Sequence, residues 1–188
     1  MTLLILGLLL FFAVHTLPSF SSVYQPLRDR LGMLAFQGIF SLIAVTGLVL
    51  ALIGKRDAPI MPVWEPNEFT MSLAPGLMLP AAMLLVLAYV PSNVKRYLRH
   101  PMLTAVLLWS VAHLLANGHL AAMVFFGSFA VYSVFAMISA NRRGATKSKE
   151  TKSMLWDLAG AGGGIALYAL GVFLHPYLFG VPAILPKG

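Results

Sequence analysis

His113 is the residue in this 188-residue chain whose type and setting point most directly to chemistry. It sits in Leu103-Thr104-Ala105-Val106-Leu107-Leu108-Trp109-Ser110-Val111-Ala112-His113-Leu114-Leu115-Ala116-Asn117-Gly118, an otherwise apolar run. An imidazole carries one donor and one acceptor, and hydrocarbon satisfies neither. Ionisable groups within apolar spans therefore face the protein interior and count as functional-site candidates. Ser110 precedes His113 by three residues and Asn117 follows it by four, so on a helix all three share one face. That face is polar, and it centres on a ring that can ligate a metal or move a proton.

The chain has five histidines. His15 ends the first apolar run, Leu3 to Val14, and is the second histidine embedded in apolar sequence. Two such residues on different helices are a usual way for a bundle to hold haem b, because a neutral imidazole ligates iron without bringing a net charge into lipid. Gly7, Phe11, Phe12, Ala112 and Ala116 supply the apolar and small neighbours that a macrocycle needs. A histidine that only hydrogen-bonds a neighbouring helix is an equal reading for each. Structural zinc is disfavoured, since no acidic residue shares the spans of His15 and His113 and the chain has no thiol. His100, in Arg99-His100-Pro101, reads as an interfacial cap with proline at the first helical position. His119 reads as a solvated turn residue, and His175 as an interfacial residue beside Tyr177.

The elements that must position these side chains are membrane spans. The chain is 59% hydrophobic and 10% charged, with a mean hydropathy of +0.84. Soluble domains carry about a quarter charged residues. The expected fold is an all-α integral membrane protein, a single domain over residues 1–188 forming a bundle of about six transmembrane helices. Apolar runs place the spans at about 2–17, 31–53, 71–90, 102–116, 120–140 and 155–173. Pro75 and Pro80 should bend the third span or mark its entry. Asn117-Gly118-His119 reads as the turn between the fourth and fifth. Gly160 and Gly164 form a G-x-x-x-G pair, read as packing within the chain rather than as a dimer site. Residues 144–153 read as a mobile, solvated loop.

The 13 Lys and Arg residues divide unevenly between the loops. Ten fall on one side of the bundle: Arg28, Arg30, Lys95, Arg96, Arg99, Arg142, Arg143, Lys147, Lys149 and Lys152. Three fall on the other: Lys55, Arg56 and Lys187. The positive-inside rule then puts the ten in the cytoplasm and both termini in the periplasm, if the membrane is the bacterial inner membrane. Leu3 to Val14 could serve as a signal-peptide core, but no Lys or Arg precedes it and no convincing small-x-small site follows, so it reads as a retained span. The basic loop has no aromatic platform beside it and no binding motif, so nucleic acid is excluded as a partner and the bilayer is the expected one. There is no cysteine, which removes disulfides, thiolate ligands and a cysteine nucleophile. No H-E-x-x-H, G-x-S-x-G or Walker loop is present.

Several segments in order resemble the NnrU family of bacterial membrane proteins: Leu3 to His15, Phe40-Ser41-Leu42, Arg99-His100-Pro101-Met102, Trp109 to Gly118, and His175-Pro176-Tyr177-Leu178-Phe179-Gly180-Val181. That family is linked to denitrification and nitric oxide metabolism, which implies a membrane reductase as a partner. Its pattern extends to plant zeta-carotene isomerase, a haem b enzyme that isomerises a cis double bond in a polyene. The resemblance implies His15 and His113 as the two axial ligands and metal residues. Arg99, His100, Ser110 and Asn117 follow as further cofactor-binding candidates, with Arg99 placed to meet a haem propionate. The plant enzyme carries a cysteine, proposed as an alternative ligand, at the position of Ser110, so that ligand exchange is absent here. A thinner resemblance, through Arg99-His100-Pro101 alone, is to isoprenylcysteine-type membrane methyltransferases that use S-adenosylmethionine. A third reading is a non-enzymatic factor that helps to assemble a reductase. Counting residues along the helices leaves His15 and His113 about 10 Å apart in depth. A shared haem would then have to tilt, or the first span shift outward.

Overall fold

The computed structural model describes residues 1–183. Lys187, counted above in the loop charges, lies outside them. The described residues are helical throughout, apart from connecting segments and one isolated bridge between Pro62 and His119. Helix α1 spans Thr2–Thr16 and passes through a 3-10 turn at Leu17–Ser19 into α2, Ser21–Leu31. Then follow α3 (Met33–Arg56), α4 (Glu68–Leu87), the single turn α5 (Val94–Tyr97), α6 (Pro101–Ala116), α7 (Leu120–Arg142) and α8 (Met154–Phe179). Among the described residues five segments are long and apolar enough to cross a membrane; α6 is apolar but shorter, at 16 residues. The chain is an all-α, multi-pass membrane protein, and the large apolar side chains exposed along α1, α3 and α8 are the surface that lipid covers.

The ends of the helices follow from the sequence. Pro101 starts α6 at a position where its missing N–H costs nothing. Asn67 starts α4 with a capping box: its side chain accepts from Thr70 N at 2.9 Å while Thr70 Oγ1 accepts from Asn67 N at 3.1 Å. The expected start at residue 71 is thus three residues late. Helix α4 continues through both Pro75 and Pro80. Helix α2 was not anticipated. It is short, carries Arg28, Asp29 and Arg30, and contains Pro26, so its apolar content is too low to register as a span. Phe20, Val23, Leu27 and Leu31 recur along it at helical spacing and are all exposed, as on a helix lying in a membrane interface.

The spans pack as a row, α3–α1–α7–α6–α4–α8. Small residues decide how closely neighbours approach. A Cβ at Gly54 of α3 would lie 2.1 Å from Leu4 N of α1, so this antiparallel pair meets backbone to backbone. Gly164 of α8 sits equally tight on α4, where a Cβ would lie 2.4 Å from Met83 Cα. Gly160 packs on Leu87 and Val90, so the G-x-x-x-G pair is used within the chain. Helix α6 lies between α4 and α7 and is the most enclosed element; Met102 is its one exposed residue. The core beside it is aromatic: Phe125, Phe126 and Phe129 of α7, packed with Leu4, Leu8 and Ala51.

Helix direction gives the molecule two poles. One gathers the end of α1, α2, the start of α3, the α4–α6 link and the α7–α8 loop, and so holds all ten of the grouped cations. The α7–α8 loop is better ordered than its composition suggested. Ser148 N donates to Lys95 O at 3.0 Å. Asn93 bridges to it twice, Nδ2 donating to Lys152 O at 2.8 Å and Oδ1 accepting from Lys152 N at 2.9 Å. At the opposite pole the segment between α3 and α4 closes over the α6–α7 turn. Val63 N donates to Gly118 O at 2.8 Å and Leu120 N to Met61 O at 2.8 Å. Gly118 is obligatory there, since a Cβ would fall 1.7 Å from Trp64 O.

Candidate functional site

His113 projects from α6 toward α7. Its Nδ1–H donates to Trp109 O, one turn back, at 2.9 Å. The bond sets the tautomer and leaves Nε2 as the free lone pair. The Phe126 ring stacks on the imidazole, 4.4 Å between centroids and 23° between planes, with the Trp109 ring 5.1 Å away. Lys55 of α3 places its ammonium 5.4 Å from the centre of the Phe126 ring. A cation over a ring face is stabilised by the ring quadrupole, so Phe126 contacts both the ammonium and the imidazole.

His15 repeats the pattern on α1. Its Nδ1–H donates to Phe11 O at 2.7 Å, the Phe11 ring stacks on it at 3.9 Å and 21°, and Nε2 is again free. Phe40 of α3 lies 5.1 Å away, and Tyr132 of α7 donates its hydroxyl to the His15 carbonyl at 3.0 Å. Metal-ligating histidines characteristically hold the second ring nitrogen on a carbonyl or carboxylate. Both imidazoles meet that requirement.

The two are not brought together. His113 lies against Phe126 and His15 against Tyr132, six residues along α7 and therefore about 9 Å apart in depth. A chain of rings joins them: Phe11 to Phe129 at 5.2 Å, Phe129 to Trp109 at 5.4 Å, Trp109 to His113 at 5.1 Å. Two imidazoles that ligate one metal from opposite sides stand roughly 4 Å apart, twice a metal–nitrogen bond of about 2 Å. As placed, the pair does not fit one bis-histidine haem. Each imidazole alone has Nδ1 held by a backbone carbonyl and Nε2 without a hydrogen-bond partner among the described residues, the state a ligating histidine needs. Among the described residues no three His, Cys, Asp or Glu side chains cluster as they would around a bare metal ion.

The other candidates divide by role. Ser110 is fully buried, and its Oγ has no hydrogen-bond partner. An orphaned hydroxyl one turn before His113 is the group here that a bound molecule could satisfy. Asn117 donates Nδ2 to the His113 carbonyl at 2.8 Å and so caps the end of the helix. Arg99 and His100 lie at the basic pole, at the far end of α6 from His113. Arg99 Nη1 and His100 Nε2 both donate to Asn141 Oδ1, at 2.7 and 2.9 Å. Twelve residues of helix separate Arg99 and its neighbour from His113, about 18 Å or more along the axis. His119 precedes α7 as its N-cap residue, and His175 bonds the Val181 carbonyl at 2.7 Å. The sequence reading missed Phe126, Phe129, Lys55, Tyr132 and Asn141. The aromatic recurrence at 125, 126, 129 and 132 was the available signal for the first of these.

Two cavities flank this core. One, of about 450 Å³, lies at the basic pole between the start of α6 and the α7–α8 loop. The other, of about 390 Å³, is an apolar groove between α1 and α7 lined by Ile5, Leu8, Leu9, Phe12, Val124 and Ser128 among others. No curated protein and no solved structure matches the chain. A family model, NnrU protein, matches residues 3–183, which takes in every helix and both histidine sites. The chain therefore belongs to the NnrU family.

Proposed function

We propose that this protein binds haem b through a single axial imidazole, that of His113, and serves nitric oxide metabolism from the bacterial inner membrane, with both termini periplasmic. The observation that carries the reading is the state of the His113 ring. Its Nδ1–H is held by the Trp109 carbonyl, its Nε2 is free, and the orphaned hydroxyl of Ser110 lies one turn away. Haem b held by His113 would supply iron able to bind a diatomic gas. The chain's own residues orient the ring, through Trp109, and shield it from water, through Phe126 and the segment that closes over Gly118. His15 is the lesser candidate, because no orphaned polar group among the described residues accompanies it as Ser110 accompanies His113, and Tyr132 binds its backbone.

The test is spectroscopic. The protein is purified from cells supplied with haem precursor, and its Soret band is recorded with and without nitric oxide. A five-coordinate spectrum that shifts with nitric oxide is expected, with loss of the band in His113→Ala and its retention in His15→Ala. A low-spin spectrum lost in both variants would mean that both histidines ligate and the aromatic seam opens. A folded protein without haem would favour the assembly-factor reading.

A second reading has one observation in its favour. The apolar groove between α1 and α7 opens to lipid alongside Phe12, which touches Phe129 of the seam at 5.1 Å between ring centres. A polyene could lie there with a double bond near the aromatic core. Incubation with a cis-polyene, read by its absorbance shift, tests that activity directly.

A further inference from the structure

The basic pole contains a cavity that the haem reading does not use. It is about 450 Å³ and is bounded by the end of α4, α5, the first turn of α6 and the α7–α8 loop. Lys95, Arg99 and Lys147 line it as cations, with the His100 imidazole and the Thr146 and Ser148 hydroxyls beside them, and no acidic residue does. The ion pairs among the described residues are Arg28–Asp29, Arg56–Asp57 and Lys152–Glu150, so none of the cavity's cations has a carboxylate partner. Glu150 lies nearby in sequence but is committed elsewhere: Lys152, at 2.5 Å, holds its carboxyl below the usual range.

The cations are also held in place. Arg99 and His100 share Asn141 Oδ1, and Lys95 Nζ donates to Val90 O at 3.1 Å. Neutral acceptors fix Arg99 and Lys95 without cancelling their charge. Helix α6 begins here without a side-chain cap, and its first ladder bond is Thr104 N to His100 O at 2.9 Å. The N–H groups of Met102 and Leu103, both cavity residues, therefore point out of the helix end as free donors.

One side of the cavity is apolar, formed by Ala88, Met102 and Leu103. That side leads to the lipid-facing surface: Met102 is 40% exposed, Tyr89 is 75% exposed, and the Tyr89 hydroxyl donates to Met102 Sδ at 3.3 Å. A ligand that fits must be anionic at one end and apolar at the other. We infer that this cavity is a binding site for the phosphate headgroup of an anionic phospholipid from the leaflet at the basic pole, with its acyl chains leaving past Met102. The site stands apart from His113 and does not depend on haem.

The experiment uses the full chain in neutral detergent and measures Kd by calorimetric titration with dioctanoyl phosphatidic acid, dioctanoyl phosphatidylcholine and inorganic phosphate. Saturable binding of phosphatidic acid, none of phosphatidylcholine and much weaker binding of phosphate are expected. Lys147→Gln and Lys95→Gln should each weaken phosphatidic acid binding about fivefold, the equivalent of roughly 1 kcal/mol for a basic side chain at a lipid surface. Lys149→Gln, two residues along the same loop but outside the cavity, should leave Kd unchanged. Equal binding of phosphatidylcholine overturns the proposal. So does an equal loss in Lys149→Gln, which would make the effect one of general charge. Phosphate binding as tightly as phosphatidic acid also overturns it, in favour of a site for the free anion.

Discussion

At the scale of single residues, the two embedded histidines solve one problem in one way. Each hands its Nδ1–H to the carbonyl one turn back, so the ring enters an apolar core with its donor satisfied and only the acceptor nitrogen open. Ser110 contrasts with them. Serine in a helix ordinarily bonds the carbonyl three or four residues earlier, as Ser128 and Ser133 do here with Val124 and Phe129. Ser110 does not, and its oxygen is buried without a partner. Leaving such a group unsatisfied costs about 1–3 kcal/mol. Ser110→Ala is therefore expected to raise the thermal midpoint of haem-free protein. If the hydroxyl serves a bound haem, the same variant should lower the midpoint, or shift the Soret band, of the loaded protein. Identical rises in both forms would remove Ser110 from the site.

At the scale of elements, the close pairing of α1 with α3 sets the position of His15, and small residues make that pairing possible. Gly54→Ala forces a Cβ to 2.1 Å from the backbone of Leu4, which cannot swing aside as a side chain could. Overpacking of this kind costs about 1–3 kcal/mol and often more. Gly38, also in α3, has open space around its Cβ position, so Gly38→Ala should be neutral or slightly stabilising through helix propensity. Thermal unfolding in detergent compares the two, and equal destabilisation would show that glycine content rather than contact with α1 governs α3. The glycines themselves were visible in the sequence, but which of them met a neighbour was not. Periodicity marks a helix and a face, while the partner helix comes only from three-dimensional packing. The same limit explains the α7–α8 loop. Its polar, basic composition read as mobile, yet Asn93, about 60 residues earlier, ties it down through Lys152, and Asn93 also binds Asp157 by 2.6 and 2.7 Å bonds.

At the scale of the whole molecule, the span count and the grouping of cations were legible because both follow from one-dimensional patterns, apolar length and loop charge. The depth difference between the histidines was legible for the same reason: residue counting put it at about 10 Å and the rise along α7 at about 9 Å. The aromatic seam between them was not, since Phe11, Phe129 and Trp109 come from three separate helices. The same asymmetry of charge makes the orientation testable. With no native cysteine, single cysteines report position without interference. Glu65, in the segment over Gly118, and Lys149, in the α7–α8 loop, are both exposed and lie at opposite poles. The ten cations of the basic pole should keep it in the cytoplasm. Glu65→Cys is then expected to react with an impermeant maleimide in intact cells, and Lys149→Cys only after the membrane is opened. The reverse pattern would place the lipid-headgroup cavity in the outer leaflet and bring the His113 end of α6 to the cytoplasmic side.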